Sequence, residues 1–105
     1  MSESERMLKL REMLEKSPGD AFLLYALAME CKKSGDSGTA LDYLDKTIQH
    51  DWGYCYAYFQ KGQILETRGE VEAAKQAYLA GIDAAGRKGD AHAREEITSA
   101  LAAIE

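Results

Sequence analysis

Proline is nearly missing from this chain of 105 residues, in which Pro18 is the single example. Proline interrupts helices, so its scarcity leaves room for long helical segments. Ala, Leu, Glu and Lys, which favour helices, are abundant instead. The composition therefore predicts a largely helical protein.

Long hydrophobic runs are also missing. The longest one, 21–29, has nine residues and is too short to cross a bilayer. The first ten residues, MSESERMLKL, place acidic side chains before any apolar stretch, which is not the order of a secretory signal peptide. These features favour a cytoplasmic protein.

The chain has no excess of positive charge, since 13 Lys and Arg stand against 18 Asp and Glu and the formal net charge is −5. Proteins that bind nucleic acid or anionic lipid carry clustered positive charge, so neither partner is expected. Apolar residues make up 46% and charged residues 30%, a mixture typical of globular proteins. The length predicts one domain.

Cysteine is scarce as well. Cys31 and Cys55 form no C-x-x-C pair, and only His50 and His92 could complete a zinc site with them. Free thiols are typical of a protein in a reducing cytoplasm. We predict two free thiols and no bound metal.

Catalytic motifs are equally scarce. The segment His92 to Glu96 is close to the H-x-x-E-H pattern of metalloproteases, but Glu96 replaces the second histidine. No glycine-rich phosphate loop is present, and no serine stands in a recognisable nucleophile arrangement. The sequence therefore predicts neither an enzyme nor a cofactor site.

What the chain does contain is an internal repeat of 34 residues, which aligns segment 21–51 with segment 55–85. Identical residues at this offset are Gly35 and Gly69, Ala40 and Ala74, and Ile48 and Ile82. Chemical classes agree more widely than identities, and small residues recur where two helices would meet, as at Ala28 and Gly62. A fixed period of this length is the signature of a helical repeat protein.

Each repeat reads as a helix, a tight turn and a second helix. Apolar residues follow a helical spacing in both helices of the first repeat, at Leu24, Leu27, Ala28 and Cys31 and at Ala40, Leu41, Leu44 and Ile48. Gly35 and Gly69 can each end a helix in the left-handed conformation, and the acid that follows suits the start of the next helix.

Further helices are predicted before and after the two repeats. Segment 3–17 corresponds to the second half of a repeat and predicts a helix from about Glu3 to Lys16. Segment 86–90 predicts a loop in which Asp90 caps a last helix that ends near Ile104. The sequence thus predicts six helices and no strand.

These positions resemble the tetratricopeptide repeat (TPR) family, whose pattern places aromatic, small and Ala residues at fixed positions in a 34-residue unit. Matches in the first repeat are Leu24, Leu27, Ala28, Cys31, Ala40 and Leu44, and in the second Tyr58, Gly62, Leu65, Ala74 and Tyr78. Departures are Lys61 in place of Leu, Thr47 and Gly81 in place of Ala, and Trp52 and Gly86 in place of Pro.

The resemblance implies an all-α fold, a right-handed α-α superhelix in one domain, 1–105. Its parts would be a half-repeat helix at 3–17, repeats at 20–52 and 54–86, and a capping helix at 90–104. It also implies a non-enzymatic scaffold or adaptor for protein binding, whose first helices line a concave groove that receives a peptide or helix of a partner.

Seven residues of the two first helices would face this groove and contact a partner. They are Phe22, Tyr25, Met29, Tyr56, Phe59, Gln60 and Gln63. Three interpretations of this aromatic stripe remain open. It could be covered as ordinary core, recognise a partner through aromatic anchors, or form a homodimer or larger homo-oligomer.

One subclass of the family binds the carboxylate tails of heat-shock chaperones through Lys and Asn in the groove. The matching positions here hold Tyr25 and Met29, and Asp90 stands where a further basic residue would be. Arg94 keeps a positive charge nearby in the sequence. Since this set cannot clamp a carboxylate well, we do not expect that ligand.

Overall fold

A computed structural model describes residues 4–105, and within this range the chain forms six α-helices and no strand. The helices are α1 Glu5–Lys16, α2 Ala21–Lys33, α3 Ser37–His50, α4 Cys55–Thr67, α5 Val71–Lys88 and α6 Ala91–Ala102. The predicted all-α fold is confirmed. The predicted first residue of α1, Glu3, lies outside the described range.

The chain divides into two compact units, Met1–Asp51 and Trp52–Glu105. The first unit holds α1, α2 and α3, and the second holds α4, α5 and α6. The division falls between the two predicted repeats. That the whole chain is one domain stays a prediction.

Four of the six helices begin at a side chain that caps the exposed amides of the first turn. Ser4, Asp20, Asp36 and Asp90 each accept a hydrogen bond from the amide three residues later, at 3.0–3.2 Å. A capping oxygen of this kind stabilises a helix by about 1 kcal/mol. The predicted cap at Asp90 is confirmed.

Three turns share one backbone geometry, in which a glycine with positive φ follows a helix. These glycines are Gly35, Gly69 and Gly89, with φ of 85°, 79° and 79°. In each turn the next residue donates its amide to a carbonyl five residues earlier, at 2.9 Å. Only glycine adopts this left-handed conformation without steric cost, so the three positions end α2, α4 and α5.

The predicted loop at 86–90 is wrong over most of its length, because α5 continues through Gly86, Arg87 and Lys88. Glycine is compatible with both a helix and a left-handed turn, and here Gly86 takes the first and Gly89 the second. The last helix also ends at Ala102, slightly before the predicted Ile104.

The core of the first unit lies between α2 and α3, and α1 packs on α2. Its buried side chains include Met7, Leu10, Leu24, Leu27, Ala28, Cys31, Ala40 and Leu44. Thr47 is buried among them, and its hydroxyl donates to the carbonyl of Tyr43 at 2.8 Å. This bond satisfies the polar group that stands where the TPR pattern has alanine.

The core of the second unit is built around two tyrosines that lie over glycines. A Cβ added at Gly62 would stand 2.2 Å from Cε1 of Tyr78, whose side chain is fully buried. A Cβ added at Gly81 would stand 2.7 Å from Cβ of Tyr58. The two glycines therefore provide the space that the rings of the opposite helix occupy.

The helix α6 packs on α5 and contributes Ala93 and Ile97 to the core, both fully buried. Ala100, Leu101 and Ile104 are half-buried. The apolar face of this helix therefore covers one side of the second repeat.

Cys31 and Cys55 are both buried, and neither forms a disulfide, as predicted. The thiol of Cys55 donates to the carbonyl of Gly53 at 3.3 Å. Among the described helices, none combines the length and the apolar character needed to cross a membrane.

Candidate functional site

Four of the seven predicted groove residues share one side of α4. Successive residues of a helix turn by about 100°, so Tyr56, Phe59, Gln60 and Gln63 fall within one sector. All four side chains are half-buried. We call these four residues the α4 face, and it combines two aromatic rings with two uncharged amides.

Phe59 joins the α4 face to the core of the second unit. Its ring lies 6.4 Å from the ring of Tyr56 in a nearly perpendicular arrangement and 6.3 Å from the ring of Tyr78. Aromatic pairs at these separations add about 0.5–1.5 kcal/mol to the burial of their surface. The exposed part of Phe59 is therefore held in a defined orientation.

Tyr78 carries a buried hydroxyl at the inner edge of this cluster. The hydroxyl donates to the carboxylate of Glu66, one turn beyond Gly62 on α4. Burial and the hydrogen bond to Glu66 both raise the pKa of the phenol above its ordinary value, and a hydrogen bond from Gln63 acts in the opposite direction. The ring is thus held by its packing on Gly62 and by the hydrogen bond of its hydroxyl to Glu66.

The raised pKa of Tyr78 predicts a loss of stability at alkaline pH. Above about pH 10 the unfolded chain releases the phenol proton while the folded chain retains it, so the free energy of unfolding should fall. Urea unfolding at neutral pH and above pH 10 measures this fall. The Tyr78→Phe variant, which has no proton to release, should lose less stability on the same pH change, and an equal loss would contradict the assignment.

Tyr56 connects the α4 face to α6. Its hydroxyl donates to Oε1 of Glu96 at 3.0 Å, and the imidazole of His92 contacts the same oxygen. The hydrogen bond to Glu96 raises the pKa of Tyr56, and the nearby Asp90 carboxylate acts in the same direction. The α4 face therefore continues onto a surface of α6 that carries negative charge.

The other three predicted groove residues, Phe22, Tyr25 and Met29, lie on α2 in the first unit, and we call them the α2 face. Phe22 is 62% exposed, whereas Tyr25 and Met29 are half-buried. The side chain next to Met29, Glu30, is held by Arg6 at 3.3 Å and by the hydroxyl of Ser4 at 3.3 Å. The α2 face thus ends beside an ion pair with α1.

The three interpretations of the aromatic stripe apply differently to its two parts. Tyr56 and Phe59 pack partly within their own unit, as the core interpretation predicts. Phe22 keeps most of its surface exposed. The role of the seven residues in partner binding stays a prediction.

The groove residues predicted from the sequence include neither Tyr78 nor Glu96, which contact Phe59 and Tyr56. In the sequence, Tyr78 stands out only as a match to the repeat pattern, and Glu96 only as the residue that replaces the second histidine of the metalloprotease pattern. The available signal was the placement of His92, Glu95, Glu96 and Ser99 on α6 where the repeat pattern expects apolar or small residues. That departure marks the surface which meets Tyr56.

The groups of the α4 face are suited to binding. Aromatic rings offer apolar contact area, and glutamine amides both donate and accept hydrogen bonds. Within residues 4–105, no three His, Cys, Asp or Glu side chains converge on a point where a metal ion could sit.

Comparison with known proteins identifies a similar chain that matches over most of its length. The chain is 27% identical over 96 residues to a TPR repeat-containing protein of Pseudomonas aeruginosa, and the match covers 91% of each chain. No family model matches the chain.

Solved structures are similar over most of the chain. The crystal structure of a tetratricopeptide repeat domain protein of Salinibacter ruber is 27% identical, with a TM-score of 0.75, and covers 81% of this chain and 94% of its own. The solution structure described for that organism is 28% identical, with a TM-score of 0.79 and coverages of 84% and 89%. A solution structure from Bordetella parapertussis, 24% identical, shares the fold with a TM-score of 0.82 over 96% of this chain and 88% of its own.

Proposed function

Because this chain is a tetratricopeptide repeat protein, whose fold is that of a protein-interaction module, we propose that it binds a peptide or helix of a partner protein. The α2 face of the first unit and the α4 face of the second unit would each supply contacts to a partner. The same proposal makes the protein a non-enzymatic cytoplasmic scaffold with a protein as its partner, rather than nucleic acid or membrane.

The observation that supports this proposal most directly is the exposure of Phe22, one turn before the half-buried Tyr25 on α2. Exposed aromatic residues at an interface act as anchors, because they bury a large area with few rotatable bonds. Their spacing along a helix suits an amphipathic segment with apolar residues on one side.

The two glutamines of the α4 face would add hydrogen bonds to this apolar contact. Gln60 and Gln63 are one turn apart and half-buried, so their amides stand next to the rings of Tyr56 and Phe59. An amide can pair with either group of a peptide backbone. This combination favours a peptide partner over a purely apolar ligand.

The proposal predicts that removing aromatic anchors weakens capture of native partners. The double variant Tyr25→Ala/Phe59→Ala should recover at least roughly tenfold less partner than wild type, since each anchor typically contributes about 1–2 kcal/mol and about 1.4 kcal/mol is a tenfold change in affinity. The measurement is quantitative mass spectrometry after a pull-down from an extract of the native cell. Phe22→Ala repeats the test at a side chain that is mostly exposed and so places little demand on folding.

Leu79→Ala provides the matched control, because Leu79 is a large apolar residue of α5 that is 48% exposed and belongs to neither face. Equal recovery of partners by wild type and by both aromatic variants would overturn the proposal. A dilution series by light scattering separates the alternative function. Dimers that persist on dilution and dissociate in Phe22→Ala would assign the aromatic stripe to a homodimer.

A further inference from the structure

The second unit presents two neighbouring helix surfaces of different chemistry. The helices α4 and α6 pack against each other and are joined by the hydrogen bond from Tyr56 to Glu96. Their first residues are Cys55 and Ala91, so α6 is offset from α4 by 91 − 55 = 36 residues. At this offset the α4 face corresponds to His92, Glu95, Glu96 and Ser99, which we call the α6 face.

The two faces differ in charge. No member of the α4 face is charged, and the nearest acid along the same side of the helix is Glu66. The α6 face carries the carboxylates of Glu95, which is exposed, and Glu96, which is 41% exposed. The surface thus has aromatic rings and amides on one helix and negative charge on the other.

Two of the three basic side chains of α5 are engaged elsewhere in the second unit. Lys75 pairs with Glu72 at 3.6 Å, while Arg87 stacks on the ring of Trp52 at 4.3 Å and lies 3.9 Å from Asp83. Among the described contacts of the α6 face, the one group that can carry positive charge is His92. Among the described ion pairs, therefore, none joins a lysine or arginine to the carboxylates of this face.

We infer that the α4 and α6 faces together receive a basic amphipathic segment of a partner protein. Apolar side chains of that segment would pack on Tyr56 and Phe59, and its lysines or arginines would lie opposite Glu95 and Glu96. This inference rests on the proposed function and specifies the partner's chemistry.

Two physical effects favour a cationic segment at this place. The electron-rich faces of Tyr56 and Phe59 attract lysine and arginine heads, and carboxylates beside the rings add Coulomb attraction. The hydrogen bond from Tyr56 also holds the Glu96 carboxylate next to the aromatic surface. An acidic segment would meet like charges at the same place, which disfavours it.

The test uses the full chain and two synthetic helical peptides as probes. One contains Leu, Ala and Lys in an amphipathic order, and the other replaces every Lys by Glu. Fluorescence anisotropy should show binding of the Lys peptide that weakens with added NaCl, and much weaker binding of the Glu peptide. The Glu95→Gln/Glu96→Gln variant should bind the Lys peptide roughly tenfold less tightly.

The matched control removes the same number of charges from another surface. Glu72→Gln/Asp83→Asn changes two acids of α5 that are 86% and 71% exposed, and it should leave the affinity for the Lys peptide nearly unchanged. An equal loss in both double variants would show attraction to net charge alone and overturn the inference. So would equal binding of the two peptides, or binding of neither.

The outcome for the proposed function is separate. If native partners are captured through Tyr25 and Phe59 but neither Glu95→Gln/Glu96→Gln nor added NaCl changes their recovery, the basic-segment inference fails and the binding function stands. If capture does not depend on the aromatic residues, the proposed function itself fails.

Discussion

Replacing Ile97 by Asp is expected to unfold the second unit or to lower its melting temperature strongly. Ile97 is fully buried, and its Cδ1 atom would stand 3.1 Å from a Cβ at Gly81. Loss of the buried aliphatic side chain alone typically costs about 2–5 kcal/mol, and an unpaired carboxylate in the same place adds to that cost. Since small domains have only about 5–15 kcal/mol in total, little stability would remain.

Circular dichroism during heating measures this effect, and size-exclusion chromatography detects aggregation of the exposed apolar surface. Thr98→Asp is the matched control, because Thr98 is the next residue of α6 and is exposed. Deletion of residues 90–105 should have the same effect as Ile97→Asp. If Ile97→Asp melted like wild type and stayed monomeric, α6 would not be part of the core of this unit.

Replacing Gly62 by Leu is expected to destabilise the protein although leucine is the better helix former. Even the first added carbon would stand 2.2 Å from the ring of Tyr78, far inside the contact distance of two carbon atoms. Overpacking of this kind costs typically 1–3 kcal/mol, about as much as or more than the roughly 1 kcal/mol gained in helix propensity. Urea unfolding should show a net loss for Gly62→Leu and also for Gly62→Ala.

Two further variants isolate the cause. Gly86→Ala makes the same change inside α5, where the nearest atom would be 4.0 Å away, and it should gain about 1 kcal/mol. Gly62→Ala/Tyr78→Leu reproduces the pair that the first repeat has at Ala28 and Leu44, and it should recover part of the loss. A gain in stability for Gly62→Ala alone would show that the ring moves away at little cost.

The helices and most of their turns were predictable because their signals are local. Helical spacing of apolar residues, an acid after Gly35 and Gly69, and Asp90 before the last helix each act within one or two turns of backbone. The period of 34 residues then identified the repeat. The end of α5 was not predictable in this way, since Gly86 and Gly89 are both compatible with either conformation and the packing of the helix selects between them.

The candidate site was predictable only in part. Helical spacing correctly grouped Tyr56, Phe59, Gln60 and Gln63 on one side of α4. Spacing could not show that Glu96, forty residues later, would meet the hydroxyl of Tyr56, because that contact depends on how α6 packs. The partner role of these residues depends in addition on a second molecule.

The sequence by itself determined six helices, their order and their tight turns, because hydrogen bonds within a helix and its caps join residues that are close along the chain. The tertiary structure alone decided which large residue fills which gap. Each repeat must fill a similar space between its helices, and the second repeat does so with Tyr78 over Gly62 and Tyr58 over Gly81. Steric exclusion between residues distant in sequence sets these pairs, and it acts only once the helices have packed.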